Sequence, residues 1–315
     1  MKKNLLIKKI RKSFSNNVLL KGAYHLCRSK GMRILCEISP KLLLSLRYWA
    51  TWVKWPNLKN PITFDEKLIW LNLYWRHPLK TVCADKYKMR EYVENEGLWF
   101  LLPKVYGIYE NVEEIEFEKL PEKFVLKCTH GCKCNVFCWN KRDFDIMKAS
   151  LNLRKWMSID YSKLLGELHY KGIRPRIICE EFLNDGTGKL PIDYKVFCFS
   201  GKAYCTMVVI DREPNGAGKI ALYDLEWKRK FGYLLHYYEV DKDIPKPLCY
   251  EEMINYANKL SQPFPFVRID FYSINGRAKL GEMSFTPSAC INNDMTFSAE
   301  QELGSLITLP KKPIL

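Results

Sequence analysis

Leu6, Ile7, Ile10, Phe14 and Val18 recur at three- and four-residue spacing, with Lys2, Lys3, Lys8, Lys9, Arg11 and Lys12 mostly off that stripe. This is the pattern of a basic amphipathic helix. Near residue 60 the pattern changes. Thr63-Phe64-Asp65-Glu66 matches a capping box ahead of an apolar-periodic run to about Trp75, and a new unit starts there. A second helix is predicted over 82–96, followed by the strand-like run LLPKVYGIY. From there strands and helices alternate: FVLKC at 124–128, NVFCW at 135–139, a helix over about 143–157, RIICEEFL at 176–183 and the long run 193–211. A helix near 250–260 precedes FVRIDFYSINGRAKLGEMSF, two strands joined at Asn275-Gly276. The chain has no internal repeat, and the order of elements predicts a mixed, largely antiparallel α+β fold.

Alternation sorts 266–272 into two faces. Val267, Ile269 and Phe271 form a core face, and Phe266, Arg268, Asp270 and Tyr272 form the other. On the second strand Glu282 and Ser284 share a face, which Leu280 and Ala278 are expected to continue. Acids and an arginine on neighbouring strands are costly to bury unless they pair or bind a cation, and carboxylate oxygens suit Mg²⁺. A plain two-residue turn would set Asp270 opposite Gly281. A longer turn or a bulge would set it opposite Glu282, and that shifted register is the expectation. A surface hairpin with an Arg268–Glu282 ion pair is the bland alternative.

Lys127 ends a hydrophobic strand and runs into a polar turn containing His130 and Gly131, a plausible phosphate clamp although a solvated lysine and a structural histidine are the commoner outcomes. The spacing of Cys128, Cys132, Cys134 and Cys138 lacks the C-x2-C knuckles of structural zinc. Glu180 and Glu181 close an apolar strand ahead of Phe182 and Leu183. They read as a catalytic pair, a solvated strand end, or a hinge that meets an adenine and a ribose. Asp193 and Lys195 share one strand face, which makes Lys195 a second candidate phosphate ligand.

Composition narrows the partners. The 315 residues are 47% hydrophobic and carry a formal charge of +15. Fourteen Lys and Arg against one acid, Glu37, put +13 of that in residues 1–60, leaving +2 for the other 255. Such an arm fits an anionic membrane surface, helped by Tyr48, Trp49, Trp52 and Trp55. The twelve cysteines are scattered singly through apolar runs, as buried free thiols are. With no signal-peptide pattern and no uncharged run of spanning length, a reducing cytoplasmic setting is expected, with peripheral contact at the inner membrane face.

Taken in order, ITFDEKL, ADKYKMREYV, LPEKFVLKCTHG, HYKGIRPRIICEEFL, IDYKVFCFSGKA and VRIDFYSINGRAKLGEMSFTPSA resemble the ATP-grasp superfamily, most closely its TupA-like branch, which is found with bacterial surface-polysaccharide genes. The resemblance spans residues 62–289. It implies an ATP-grasp fold, two α+β subdomains clasping ATP behind a basic helical N-terminal extension. It divides the chain into the extension 1–60, a preceding region 61–115, a small subdomain 116–183 and a C-terminal subdomain 184–315. It further implies Lys127 with Lys86 or Arg90 on the phosphates, and His130 and Gly131 in the phosphate turn. Glu180, Glu181, Phe182 and Leu183 would lie along adenine and ribose, with Asp193 among the ATP-binding residues and Lys195 beside Arg268 as a catalytic residue. Asp270, Glu282 and Ser284 would face Mg²⁺, and Arg268 would steady the transferred phosphoryl group. Ser284 stands where the superfamily commonly has Asn, and Lys133 where related sequences often have a second glycine.

By that resemblance the chain is expected to be an ATP- and Mg²⁺-dependent carboxylate–amine ligase. Its partners would be a carboxylate-bearing glycan (a uronic acid) and an amino compound, with no nucleic acid. A sugar or lipid-linked kinase, and a non-enzymatic module acting through the basic arm, are the competing readings.

Overall fold

The computed structural model describes residues 30–211, 218–235, 240 and 242–311, so the amphipathic helix expected in the first twenty residues lies outside them. A helical run at 30–38 leads into α1, Pro40–Trp52. Pro40 suits the first turn because it has no N–H to satisfy, and the Ser39 hydroxyl accepts from the Leu42 amide. In α2, Phe64–Tyr74, the expected capping box is formed: Thr63 accepts from the Glu66 amide, and Glu66 accepts from the Thr63 amide.

The single helix expected over 82–96 is instead two, α3 (Pro78–Ala84) and α4 (Lys88–Asn95). Asp85 divides them. Its Oδ1 accepts from the amides of Tyr87 and Lys88, local bonds that compete with helix continuation. Lys86 is left in the break with its amide bonded to the Thr129 carbonyl. Sequence periodicity misses the interruption because it tracks side-chain faces and not backbone partners.

Two antiparallel sheets follow. The first orders its strands β1-β4-β2-β3, from Val105–Tyr109, Phe124–Cys128, Asn135–Cys138 and Ile177–Glu181 in chain order. Helix α5, Ile146–Met157, packs on it, and the short helix α6, Tyr161–Leu164, follows. Leu126, Cys128, Leu153, Ile177 and Cys179 anchor a small separate core there.

The second sheet orders its strands β7-β6-β5-β8-β9: β5 Asp193–Phe199, β6 Lys202–Ile210, β7 Lys219–Tyr223, β8 Phe266–Ile274 and β9 Arg277–Ser284. The run 193–211 is therefore a hairpin. Its turn is Ser200-Gly201, both at positive φ. Helix α7, Tyr250–Ser261, lies across β5, β6 and β8, and α8, Phe297–Leu306, packs on α2. One large core joins this sheet to α1–α4, with Phe64, Phe197 and Phe266 among its buried aromatics. The sequence reading did not predict α8 or β7.

The β8–β9 register takes the shifted form. Asn275 and Gly276, both left-handed, make a plain two-residue turn with Ile274 opposite Arg277. A bulge then skips Gly281, so that Phe271 faces Leu280 while Asp270 faces Glu282 and Arg268 faces Ser284. This corrects the expectation that Leu280 and Ala278 share the face of Glu282. The bulge reverses the alternation, so Leu280 and Ala278 are buried while Glu282 and Ser284 face the cleft.

Candidate active site

Two groups of cations and carboxylates stand out, one on each sheet. At the first, Glu180 on β4 stands opposite Val125 of β2, one diagonal step from Lys127 on the same face. Lys127 Nζ lies 2.7 Å from one Glu180 oxygen and Arg90, reaching in from α4, lies 3.2 Å from the other. Arg90 also donates to the Pro103 carbonyl at 2.9 Å. Lys86 Nζ donates to the Gly131 carbonyl at 2.5 Å. A Cβ on Gly131 would meet the Tyr161 ring at 2.5 Å, so the glycine is required there by packing. Lys133 takes φ 58°, the backbone conformation that glycine adopts at least cost.

The second group is built on β5, β8 and β9. Lys195 pairs with Asp270 in register, and its Nζ lies 2.6 Å from Asp270 Oδ2 and 3.3 Å from Asp193. Arg268 grips Asp270 with two bonds of 2.7 Å, a fork-to-carboxylate pair. It reaches Glu282 at 3.4 Å and the Ser284 hydroxyl at 3.2 Å, and Ser284 in turn donates to Glu282 at 3.2 Å. Arg268 therefore pairs chiefly with Asp270, and Ser284 bridges Arg268 to Glu282.

The two carboxyls differ electrostatically. Burial raises the Asp270 pKa, with Arg268 and Lys195 opposing it and the nearby Glu282 adding to it. Burial pushes on Glu282 too, but Lys86, Lys195, Arg268 and the Ser284 hydroxyl outweigh it and hold that carboxyl at about 2. Lys86, whose Nζ rests on the Gly131 carbonyl, thereby links the turn at 129–133 to the carboxylate pair. The Glu282 side chain is 36% exposed against 3% for Asp270. It is an ionised oxygen donor open to the cleft.

Among the described residues no group of three or more His, Cys, Asp or Glu is arranged to hold a metal ion by itself. Two carboxylates on adjacent strands fit Mg²⁺, which retains waters and takes phosphate oxygens for its other positions. Asp270 and Glu282 would hold it, and the surrounding cations would hold the phosphates of ATP.

The remaining expected residues are dispersed. His130 is buried, with its ring 5.3 Å from Tyr161, and burial lowers its pKa. Glu181 accepts from the Lys104 amide at 3.3 Å. Phe182 packs on Trp139 at 4.5 Å, and Leu183 lies just past the end of β4. Cys128 and Cys134 face one another where β2 and β3 meet, joined through the backbone at 3.0 Å. Glu167 was missed by the sequence reading. It is buried beside the loop after β9, accepts from Thr286 at 2.7 Å, and is pushed by burial up to about 7. Its only trace in the sequence is an acid in the short stretch Gly166-Glu167-Leu168.

Two antiparallel α+β units, one carrying paired cations and the other a braced carboxylate pair, are the arrangement of the ATP-grasp class. The chain belongs to the TupA-like ATP-grasp family, whose model matches residues 66–308. Among solved structures, it is similar to D-alanine–D-alanine ligase from Bacillus anthracis, at 14% identity and a TM-score of 0.43 over 71% of this chain and 63% of that one. It is similar as well to L-amino acid ligase from Bacillus licheniformis, at 15% identity and a TM-score of 0.41 over 74% and 50%. Phosphoribosylamine–glycine ligase from Thermotoga maritima is a third, at 12% identity and a TM-score of 0.40 over 65% and 48%. The chain thus spans less than two thirds of each of these proteins. No curated protein sequence matches it.

Proposed function

We propose that the protein is an ATP- and Mg²⁺-dependent ligase that activates a carboxylate as an acyl-phosphate and joins it to an amine. The proposed acceptor is a uronic acid of a surface polysaccharide or of its lipid-linked precursor. The observation that carries the reaction class is the pairing of Asp270 with Glu282 beneath Arg268 and Lys195. It gathers cations and metal-binding oxygens without needing a side-chain nucleophile. Mg-ATP bound there would supply an electrophilic phosphoryl group. Arg268 and Lys195, held in place by Asp270 before any ligand arrives, would neutralise charge on the transferred group and on the carboxylate receiving it. Lys127, Arg90 and Lys86 would bind and orient the phosphates as fixed cations. The glycan substrate is supported by the TupA-like membership, since that branch accompanies surface-polysaccharide genes.

The test is to incubate the purified protein with Mg-ATP, candidate uronic acids and a mixture of amino acids, following ADP, free phosphate and product mass. ADP and free phosphate formed in step with an amide product are expected. Phosphate retained on the acceptor would identify a kinase instead, and absence of ADP with every uronic acid would overturn the proposed substrate.

A further inference from the structure

Helix α1 has two unlike faces. Its inner face is buried through Leu43, Leu44 and Tyr48, and Arg47 donates to the carbonyls of Leu165 at 2.7 Å and Ala289 at 2.9 Å. Those carbonyls belong to the segments that carry Glu167 and follow Thr286, so the helix braces the loops bearing that pair. The outer face presents Leu42, Leu46 and Trp49 within about 60° of arc at the helical repeat. Ile38, Val53 and Trp55 extend it at either end, and the six are between 39% and 75% exposed. Phe297, 45% exposed, adjoins it edge-on to Trp52 at 5.9 Å. Exposed apolar side chains gathered along one helix face mark a docking surface.

Charge selects the occupant. Residues 30–60 hold six Lys and Arg against Glu37 alone, and Glu37 is paired with Lys163 at 2.7 Å. Lys41, Lys54 and Lys59 are exposed around the patch. Residues 1–29 add eight more Lys and Arg and no acid. A second copy of this chain, or the chain's own first 29 residues, would bring like charge against like. We propose that the outer face of α1 docks on an anionic lipid bilayer, with Leu42, Leu46, Trp49 and Trp55 seated in the headgroup–acyl boundary and the lysines on lipid phosphates. The catalytic cleft would then open one helix away from the bilayer surface. This assignment stands on α1 itself and does not depend on the ligase reading.

The test is co-sedimentation of the full chain with vesicles of phosphatidylcholine containing 30% phosphatidylglycerol, beside pure phosphatidylcholine. Binding to the anionic vesicles is expected, weakened at 0.5 M salt. The double variant Leu46→Glu, Trp49→Glu should lose about tenfold or more in partitioning. Both side chains are exposed, so its melting temperature should match the wild type. Leu151→Glu, exposed on α5 away from the patch, should bind as the wild type does. Unchanged partitioning of the double variant would place the binding in residues 1–29 and overturn the assignment. So would absence of vesicle binding, or a wild-type dimer by light scattering that the double variant dissociates.

Discussion

The two charged groups of the cleft use the same materials in different ways. Glu180 is enclosed, its side chain 7% exposed, with one oxygen on Lys127 and the other on Arg90, cations delivered by separate elements. The Asp270–Glu282 pair divides the work: Asp270 is enclosed and braces Arg268 and Lys195, while Glu282 stays ionised and open. A site that only holds phosphates needs fixed cations. On the proposed reading the second site holds a metal as well, with Asp270 both positioning the cations and sharing the metal with the more open Glu282.

The largest test of this division compares Asp270→Asn with Glu282→Gln. Both should abolish ATP turnover. Asp270→Asn should also lower unfolding free energy by about 3 kcal/mol, because it leaves two largely enclosed cations short of their counter-charge. Glu282→Gln, a third exposed, should lose no more than about 1 kcal/mol. Equal losses in denaturant melts would show that the two carboxyls are not differently employed.

Lys127→Ala should raise the Mg-ATP concentration that gives a half-maximal thermal shift by about tenfold or more. Arg90 remains on Glu180, so the fold should be retained. An unchanged midpoint would remove Lys127 from the phosphate site. Gly281→Val tests the bulge: its Cβ would meet the Tyr272 ring at 2.9 Å and the Asp270 carbonyl at 3.2 Å. A loss of about 1–3 kcal/mol is expected from such crowding, together with impaired turnover.

A second carboxyl pair, in the core between α2 and α8, sharpens the contrast by pH. Glu300 accepts from the Asp65 amide at 2.8 Å, and burial raises Asp65 to about 7 and Glu300 well above its ordinary value. A carboxyl raised on folding is protonated in the native state while ionised in the unfolded chain. Its stabilising effect is therefore greatest at low pH and declines between about pH 4 and 7. Glu282, held at about 2, works in the opposite sense, and its contribution is lost below about pH 4. Stability should rise as pH falls from 7 to 5, and Glu300→Gln should flatten that slope. A flat wild-type profile would contradict the raised values. The smallest effect is expected from Lys133→Gly, which should stabilise by at most about 1 kcal/mol in thermal melts by relieving a left-handed lysine.

What could be read from the chain was local or periodic. The capping box at Thr63–Glu66 lies within four residues, so sequence alone specifies it. Strand alternation placed Arg268 and Asp270 on one face because side chains alternate wherever a strand is regular. The same reasoning failed at Leu280, where one extra residue reverses the alternation, and at Asp85, where two side-chain bonds divide a helix. Glu167 left little trace because its partner Thr286 lies 119 residues away.

The sequence by itself determined the antiparallel α+β class, the start of α2, the hairpin turn at Asn275-Gly276 and the concentration of charge in the first sixty residues. Only the tertiary structure decided that Arg268 belongs chiefly to Asp270, that Lys86 influences Glu282, and which face of α1 is left exposed by the described residues. Propensity, capping and alternation act over a few residues and are written locally. Ion pairing and burial depend on which distant segments meet, and that is settled when the two sheets and α1 pack together.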